Sequence, residues 1–454
     1  MKIALITLLA DAAAAASALR YVMYYDQYHN LSLPDPSVVS EVTHAVVAFA
    51  ACDTFLDSAK SASWQPFEPI QSVKNRFSPN VKVCLSIGGW GSNTGFEKGS
   101  IPANQASYAK NIASVVQRLG FDCVDIDWEY PGGGGAEYKL GNAGSSSKEQ
   151  IKNYPSFVGA IKGAIGNNKE LSIAVPGLEA DMGAFTPTVC QAVVPHIDFV
   201  NVMSYDLMNR RSSLTQHHAS VAGCKQSMNA YVKNGIPPAK LNLGFPFYAK
   251  WFTLQAGTKC DNPVGCSVGA FENADGSDNG LSGLFTFENF NLGKPPSFMS
   301  FSVDGRCGIV NGKHLKCPEA ACCSSSMYCG SGKDYCGSGC LSGYGLCTAP
   351  VTTETFQRVY QSGRSDDVNG AQWYIDQKTN TFWTWDTPAH IGKKFTDVVA
   401  ALQLGGIMAW SFGEDSFDYA HLKALQAGYK GMQAHTKRTS FKGDSAVRGH
   451  RSGL

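Results

Sequence analysis

Short apolar runs alternate with amphipathic stretches along most of this chain. Eight of the runs have the length and composition of strands, and they cover residues 21–25, 44–50, 81–87, 121–131, 171–176, 197–205, 241–247 and 405–410. Segments between them show helical spacing; residues 105–119, for example, carry apolar side chains three or four positions apart and precede Gly120, a common helix terminator. Strands that alternate with helices in this number predict an α/β fold, a (β/α)₈ TIM barrel with its functional groups at the carboxyl ends of the strands.

The alternation is interrupted between the seventh and eighth predicted strands. The stretch from about residue 250 to about residue 372 is too long for one crossover, and we expect it to hold an insertion with a small second domain. The chain is therefore divided into residues 1–18 as a signal peptide, 19–303 as the first part of the barrel with the start of the insertion, 304–349 as a small module and 350–433 as the second part of the barrel. Residues 434–454 are polar and basic, and we expect a disordered tail there.

Three acids occupy alternate positions of one apolar run, at Asp125, Asp127 and Glu129. Because alternate residues of a strand point the same way, their carboxyl groups are expected to lie along one face, with neighbours roughly 6–7 Å apart. A strand does not gain stability from unpaired buried charges, so this arrangement indicates proton transfer.

The run Asp122-x-x-Asp125-x-Asp127-x-Glu129, followed by Tyr130-Pro131, resembles the signature of glycoside hydrolase family 18, the chitinases and their relatives. The family usually has glycine where Cys123 stands here. Two further segments are similar to family motifs at the ends of other strands: Ser86-Ile87-Gly88-Gly89 and Met203-Ser204-Tyr205-Asp206.

The resemblance implies a role for each acid. Glu129 is the general acid, Asp127 holds the acetamido N–H of the substrate, Asp125 tunes Asp127 through a shared proton, and Tyr205 hydrogen-bonds the acetamido carbonyl. The acids all lie on one side, and the family is an exception to the usual pair of opposed carboxylates because the acetamido group of the sugar is the nucleophile. The predicted substrate is consequently a 2-acetamido sugar, and no cofactor or metal is expected.

Aromatic residues near strand ends are candidates for contacts with sugar rings. By resemblance, Trp90 stacks on sugar beyond the scissile bond and Trp410 forms the floor of the cleaved-sugar site, while Tyr24 and Phe49 are expected to form walls. Met203 and Asp206 complete the predicted substrate-binding residues. Where the family commonly has Gly-Arg, this chain has Ala249-Lys250, and lysine lacks the planar donor fork of arginine. The His217-His218 pair could suggest a metal site. No acid or cysteine lies at a spacing that would supply the other metal ligands, so a structural role is expected for both histidines.

The net charge and the N-terminal segment indicate which binding partners and which cellular compartment to expect. A formal net charge of +1 gives no reason to expect nucleic acid as a partner. A lysine, an apolar stretch and Ala16-Ser17-Ala18 are typical of a secretory signal peptide cut before Leu19. No later run is long enough to span a membrane, so we expect a secreted monomer in the extracellular space or cell wall, with chitin and chitooligosaccharides as its partners. Asn30-Leu31-Ser32 is a glycosylation sequon.

Cysteine usage agrees with an oxidising compartment, since 15 cysteines are present. Outside the insertion's cysteine cluster, Cys260 and Cys266 are expected to pair, Cys190 and Cys224 are a weaker candidate pair, and Cys84 and Cys123 are expected to be buried free thiols.

The cysteine cluster resembles the hevein-like chitin-binding module, carbohydrate-binding module family 18, on its adjacent Cys322-Cys323-Ser324 and its Tyr335-Cys336 pair. Zinc binding is an alternative explanation for a cluster of cysteines, but this cluster lacks suitably spaced histidines. The resemblance implies a binding face of Ser324, Tyr328 and Tyr335, with Ser326 in place of one aromatic. It also implies four disulfides: Cys307–Cys323, Cys317–Cys329, Cys322–Cys336 and Cys340–Cys347.

Together these observations predict a secreted chitinase that cuts β-1,4-linked N-acetylglucosamine polymers with retention. Two alternatives remain at this point. An endo-β-N-acetylglucosaminidase acting on glycoprotein glycans would share the acid strand, and a catalytically inactive chitin-binding lectin would share the fold. The inserted module and Trp128-Glu129-Tyr130-Pro131 favour the chitinase.

Overall fold

The computed structural model describes residues 19–30, 33–133, 135, 145–288, 296–310, 313–337, 339–348, 351–416 and 418–449. The predicted signal peptide, and Leu31 and Ser32 of the predicted sequon, lie outside these residues. Within the described ranges, no helix combines the length and apolar content needed to cross a membrane.

Parallel strands form the first part of the fold, and each is buried along nearly its whole length. They are β1 (Arg20–Asp26), β2 (His44–Ala50), β3 (Lys82–Gly88), β4 (Cys123–Asp127), β5 (Glu170–Pro176), β6 (Phe199–Met203) and β7 (Leu241–Pro246). Near-continuous burial explains why these segments are apolar runs in the sequence, because a parallel sheet is covered on both faces.

An insertion follows β7 and contains two kinds of structure. Its larger part is a five-stranded antiparallel sheet in the order β15-β16-β17-β8-β9, and its smaller part holds the short strands β10 to β14. The bounds are β8 (Tyr248–Thr253), β9 (Ser282–Thr286), β10 (Ser300–Phe301), β11 (Gly308–Val310), β12 (Lys313–Lys316), β13 (Cys322–Cys323), β14 (Cys329–Gly330), β15 (Arg364–Asp366), β16 (Ala371–Asp376) and β17 (Thr381–Trp385).

The last barrel strand, β18 (Gly406–Trp410), lies between β1 and β7 and closes the ring in the order β1-β18-β7-β6-β5-β4-β3-β2. The (β/α)₈ barrel predicted from the sequence is therefore confirmed, and so is an insertion between its seventh and eighth strands. The antiparallel sheet within that insertion was not predicted.

Helices on the outside of the barrel are α1 (Ser58–Ser63), α2 (Ile70–Arg76), α3 (Thr94–Gly99), α4 (Pro102–Leu119), α5 (Ser145–Ile165), α6 (Pro187–Val193), α7 (Val221–Lys233), α10 (Pro388–Lys394) and α11 (Ala420–Gly449). Two helices belong to the insertion: α8 (Lys333–Cys336) lies against β13 and β14, and α9 (Thr353–Ser362) lies against β16. In α4, Tyr108, Ile112 and Val115 face the core at the predicted helical spacing. Gly120 ends this helix with a φ of 80°, a conformation that glycine adopts without steric cost.

A disulfide lies in the barrel interior, where free thiols were predicted from the sequence. Cys84 and Cys123 form a disulfide and are not free thiols. They face each other in the register of β3 and β4, with their Cα atoms 4.3 Å apart. Residues in register on adjacent parallel strands point to the same face, so the two thiols are brought together by the pairing of the strands.

The remaining cysteines divide between pairs and thiols. Cys260 and Cys266 are joined, as predicted. Cys190 and Cys224 are both buried and free, so the weaker predicted pair is wrong. Each thiol instead donates to a nearby backbone carbonyl, at 3.3 Å from Phe185 O and 3.2 Å from Ser204 O, respectively.

The end of the chain also differs from the prediction. A disordered tail was expected from Ala434, whereas α11 continues to Gly449. The helix is nucleated upstream, where Leu422 and Leu425 are buried in the core, and adding residues to an existing helix costs much less than starting one.

Candidate active site

The carboxyl ends of the barrel strands surround a cleft of about 830 Å³. Many of the side chains predicted to contact substrate meet there. They are Phe49, Trp90, Asp127, Glu129, Met203, Tyr205, Asp206 and Trp410.

The three acids of β4 and its extension run from the barrel interior to this cleft. Asp125 is fully buried, Asp127 is 3% exposed and Glu129 is 8% exposed. The intervening Val124 and Ile126 pack on the other side of the strand, in the core beneath the helices. The alternation predicted from the sequence is thus present, and it orders the acids by their depth.

Asp125 is the innermost acid and accepts several hydrogen bonds. Its donors are the hydroxyls of Tyr24 at 2.8 Å, Ser86 at 2.9 Å and Ser172 at 2.6 Å, and the amide of Asn201 at 3.2 Å. Burial raises the pKa of Asp125, and these hydrogen bonds oppose that rise. Asp125 is therefore held firmly in one position by neighbouring strands.

Asp127 has a different environment. Its Oδ1 is buried and has no hydrogen-bond partner among the described residues. Burial, reinforced by the nearby charges of Glu129 and Asp125, raises the pKa of Asp127 well above its usual range. A carboxyl group in this state favours its protonated form more than a free aspartate does, and it has an oxygen available to a ligand.

Glu129 lies at the cleft end of the row. Burial and then the charge of Asp206 raise the pKa of Glu129 to about 8, while a hydrogen bond involving Tyr130 works against the rise. Interacting carboxyl groups titrate together, so Glu129 and Asp127 form one proton-holding unit. At neutral pH the group nearest the cleft is consequently able to donate a proton.

The close approach of β3 to β4 explains the glycine pair in Ser86-Ile87-Gly88-Gly89. A Cβ on Gly88, whose φ is 112°, would lie 2.1 Å from the backbone oxygen of Asp127. A Cβ on Gly89 would lie 2.8 Å from the ring of Phe49. Larger residues at these two positions would push the acid row or the aromatic wall out of place.

A second polar group lies beside the acids, after β6. Asp206 accepts a hydrogen bond from the hydroxyl of Tyr248 at 2.9 Å and lies 3.1 Å from Lys250 Nζ. Partial burial disfavours its charge, but Lys250 and His218 outweigh this and hold the pKa of Asp206 below its usual range. Lysine at the position of the family's arginine therefore serves as the counter-ion of Asp206. Tyr205 presents its ring to the same part of the cleft.

Aromatic rings form the floor and rim of the cleft. Phe49 and Trp410 are stacked with centroids 5.5 Å apart, and Trp90 is 58% exposed at the rim. The prediction that Tyr24 forms a wall is wrong, because it is 2% exposed and lies under Trp410 at 5.6 Å. Its hydroxyl is used inside the barrel by Asp125.

Several cleft residues were not found from the sequence. Asp181 and Arg211 form a pair of 2.6 Å hydrogen bonds, and Arg210 lies 3.7 Å from Glu272 of the insertion. Ser325 from the cysteine-rich module also lines the cleft. These residues come from loops and from the insertion, where no periodic pattern marks them.

The adjacent histidines have different surroundings. His217 is buried and lies 2.9 Å from the Thr384 hydroxyl and 3.0 Å from Asp366, both in the inserted sheet. His218 is buried under the ring of Tyr248, with centroids 5.4 Å apart. His217 thus connects the barrel to the insertion, and His218 supports the group around Asp206.

The cysteine-rich module is held by the disulfides that the resemblance implies: Cys307–Cys323, Cys317–Cys329, Cys322–Cys336 and Cys340–Cys347. With all eight sulfurs in disulfides, none is available as a thiolate for zinc.

Of the residues predicted to bind chitin in this module, Tyr328 is 51% exposed and Tyr335 is half-buried against Gly330. Ser324 is buried, and its hydroxyl accepts from the backbone N–H of Tyr328 at 3.2 Å. Ser326 is exposed beside them.

The sequence is similar to a known protein family and to individual chitinases. The sequence profile described as "Glycosyl hydrolases family 18" matches residues 20–415. Endochitinase 1 of Metarhizium robertsii is 30% identical over 190 residues, which are 39% of this chain and 43% of the relative. Chitotriosidase-1 of Mus musculus is 26% identical over 275 residues, 55% of this chain and 56% of the relative. The chain thus spans about half the length of the curated relatives it matches.

Solved structures share the fold. A plant class V chitinase mutant from Cycas revoluta, in complex with (GlcNAc)3, is 19% identical with a TM-score of 0.58, over 90% of this chain and 99% of that one. A chitinase from Rhizomucor miehei is 16% identical with a TM-score of 0.60 over the same shares. A chitinase-like agglutinin from Robinia pseudoacacia is 18% identical with a TM-score of 0.57, again over 90% and 99%.

Proposed function

Because the chain belongs to the glycosyl hydrolases of family 18, we propose that it is a chitinase that hydrolyses β-1,4-linked N-acetylglucosamine chains. One observation carries the proposal: Glu129, with a pKa raised to about 8, faces an aromatic-floored cleft and has Asp127 directly behind it. A protonated carboxyl group beside stacking surfaces for sugar rings is what a glycosidic oxygen needs in order to leave. A chitinase-like agglutinin shares the fold, so the proposal depends on Glu129 and not on the fold alone.

The nucleophile in this proposal is the acetamido oxygen of the substrate. An ordinary retaining glycosidase needs a second carboxylate roughly 5 Å from the acid, across the sugar. The other carboxylates that line the cleft beside the row include Asp206, held by Lys250 and Tyr248, and Asp181, held by Arg211. Both carboxylates are already engaged by partners within the protein, and this supports substrate assistance.

Asp127 and Tyr205 are assigned to the acetamido group. The unpartnered Oδ1 of Asp127 accepts the acetamido N–H, and the proton that Asp127 shares with Asp125 passes to Asp125 as positive charge develops on the ring being formed, which leaves Asp127 negative beside that charge. The hydroxyl of Tyr205 donates to the acetamido carbonyl. Trp410 and Phe49 carry the sugar on their faces, while Trp90 at the rim binds a sugar further along the chain.

The cysteine-rich module is proposed to hold polymer close to the cleft. Tyr328, Tyr335 and Ser326 lie on or near its surface, and neighbouring Ser325 reaches the cleft itself. A chitin chain bound to this face would therefore have a short path to Glu129. Disulfides in this number fit the proposed secretion into the extracellular space or cell wall, where the protein would act as a monomer.

Turnover of defined oligomers tests the proposal. The purified chain is incubated with N-acetylglucosamine tetramer to hexamer, and products are sized by mass spectrometry. Shorter oligomers should appear with the wild type and not with Glu129→Gln. Intact oligomers after prolonged incubation, together with measurable binding, would identify a lectin. Release of glycans from a glycoprotein without cleavage of the oligomers would identify an endo-β-N-acetylglucosaminidase.

A further inference from the structure

A second group of ionisable side chains lies where β1, β9 and β18 end. It consists of Asp26, His29, Glu288 and Glu414, which we call the rear cluster. His29 Nδ1 lies 3.0 Å from Asp26 Oδ1 and 3.5 Å from Glu414 Oε1, and His29 Nε2 lies 3.8 Å from Glu288 Oε1. The mechanism proposed above makes no use of these residues.

The charges of the rear cluster do not balance. Asp26 is fully buried, and Glu288 and Glu414 are each 3% exposed. In the described part of the chain no lysine or arginine forms an ion pair with any of them, and His29 supplies at most one positive charge. If all three carboxylates were ionised, the group would carry a net negative charge in a buried place, so it must hold either additional protons or a cation.

Glu414 provides an independent observation. Its carboxylate faces His29, yet its Oε2 is buried and has no hydrogen-bond partner among the described residues. Asp26, by contrast, is oriented by the backbone N–H groups of Tyr28 and His29, at 2.8 and 2.9 Å, and by the hydroxyl of Ser411. The cluster thus combines a fixed carboxylate with one that has a free coordination site.

The spacing of the donor atoms matches a metal site. One atom each from Asp26, His29 and Glu414 lies within 4.8 Å of the others. Donors about 2.1 Å from one cation are roughly 3.0–3.4 Å apart for angles between octahedral and tetrahedral. The 3.0 Å separation between His29 Nδ1 and Asp26 Oδ1 falls in this range, and the 3.5 Å separation from Glu414 Oε1 lies just above it.

We propose that Asp26, His29 and Glu414 bind a divalent transition-metal cation, Zn²⁺ or Mn²⁺. One imidazole nitrogen with two carboxylates suits these ions better than Ca²⁺, which prefers oxygen ligands in larger number. Glu288 Oε1 lies 3.8 Å from the opposite ring nitrogen, where its charge favours a proton on Nε2 and so directs Nδ1 to the metal.

The ion has a structural task. Asp26 ends β1 just before Gln27 and Tyr28, which line the cleft, and Glu414 follows Trp410 of the floor by four residues. The two loops are in close contact, since a Cβ on Gly413 would lie 1.4 Å from the backbone oxygen of His29. A cation that joins Asp26 and His29 to Glu414 fastens these loops together behind the aromatic floor.

Metal binding by the full, untagged chain tests the proposal. The protein is treated with a chelator and dialysed, then titrated with ZnCl₂ or MnCl₂ by calorimetry and thermal unfolding. We expect one ion per chain and a Tm that rises with metal concentration. Neither readout depends on hydrolysis, so failure here leaves the proposed chitinase function untouched.

Two substitutions separate this site from adventitious binding. Glu414→Gln should weaken binding by more than the roughly 10–100-fold that losing an outer-shell partner costs, while raising the Tm of the metal-free chain, because one buried like charge is removed. Glu288→Gln keeps an acceptor for Nε2–H and should change affinity by less than about 10-fold. Absence of binding to the wild type, or equal binding by wild type and Glu414→Gln, would overturn the proposal in favour of a cluster that shares protons.

Discussion

Hydrolysis should fall with rising pH as Glu129 ionises, and the pH of that fall tests the electrostatics of the cleft. Burial and then Asp206 raise the pKa of Glu129 to about 8 from an ordinary value of 4.5. A general acid acts only while protonated, so activity is present below this pKa and is lost above it. At pH 7 about 90% of Glu129 would be protonated, against roughly 0.3% for a carboxyl group with the ordinary pKa.

The perturbation that isolates this effect is Asp206→Asn. It removes the charge that contributes most, after burial, to the raised pKa of Glu129, and it releases the positive charge of Lys250 nearby. Both changes favour the ionised form of Glu129. In a plot of kcat/KM against pH, the fall at alkaline pH (the alkaline limb) should therefore move to lower pH. The matched control is Asp181→Asn, since Asp181 contributes less and is paired with Arg211; its limb should move less.

The assay is kcat/KM for a soluble N-acetylglucosamine oligomer between about pH 5 and about pH 10, because this ratio reports ionisations of the free enzyme. For the wild type, kcat/KM should be about 10-fold lower at pH 9 than at pH 7. The reasoning is refuted if the wild-type limb lies near the ordinary pKa of glutamate. It is also refuted if Asp181→Asn moves the limb further than Asp206→Asn.

Three further predictions concern the acid, the stereochemistry and the module. Glu129→Gln should reduce hydrolysis by roughly 10²–10⁴-fold while oligomer binding, measured by calorimetry, is retained; near-normal turnover would reject the assignment. Fresh product should be the β-anomer by proton NMR, and an initial α-anomer would exclude substrate assistance. Replacing residues 307–347 with a short Gly-Ser linker should weaken adsorption to insoluble chitin and spare soluble-oligomer turnover, whereas Ser326→Trp should strengthen adsorption. Equal losses of adsorption and turnover in the linker variant would instead show that the module forms a wall of the cleft, to which Ser325 contributes.

The barrel and the acid row were predictable because both are periodic. Parallel strands are buried on two faces and stand out as apolar runs, and alternation alone places Asp125, Asp127 and Glu129 on one side. The antiparallel sheet of the insertion has no such signal. Three of its strands, β15 to β17, follow one another closely, but β8 pairs with β17, which follows more than a hundred residues later. Pairing between segments so distant depends on tertiary contacts that a local pattern does not contain.

The disulfide between Cys84 and Cys123 was missed although the sequence contains a clue to it. Each cysteine precedes a motif residue by two positions, Cys84 before Ser86 and Cys123 before Asp125. Once Ser86 and Asp125 are known to face each other on adjacent strands, the period of two places the cysteines opposite each other as well. The apolar surroundings favoured a reading as buried thiols, and the register was the missing information.

The surroundings of the three acids explain why the proton is held at the outer end of the row. Asp125 accepts four hydrogen bonds, all of which favour its charged form, whereas Asp127 Oδ1 has no described partner and Glu129 faces the charge of Asp206. Negative charge is thus best tolerated at the inner end of the row and least at Asp127 and Glu129. The donors to Asp125 come from β1, β3, β5 and β6, so the closed barrel itself supplies this gradient. A flat sheet with the same acid strand would bring only the two neighbouring strands to Asp125, and the gradient would be weaker. In the proposed mechanism, closure of the barrel is therefore part of the chemistry, because it helps to set which carboxyl group meets the substrate with a proton.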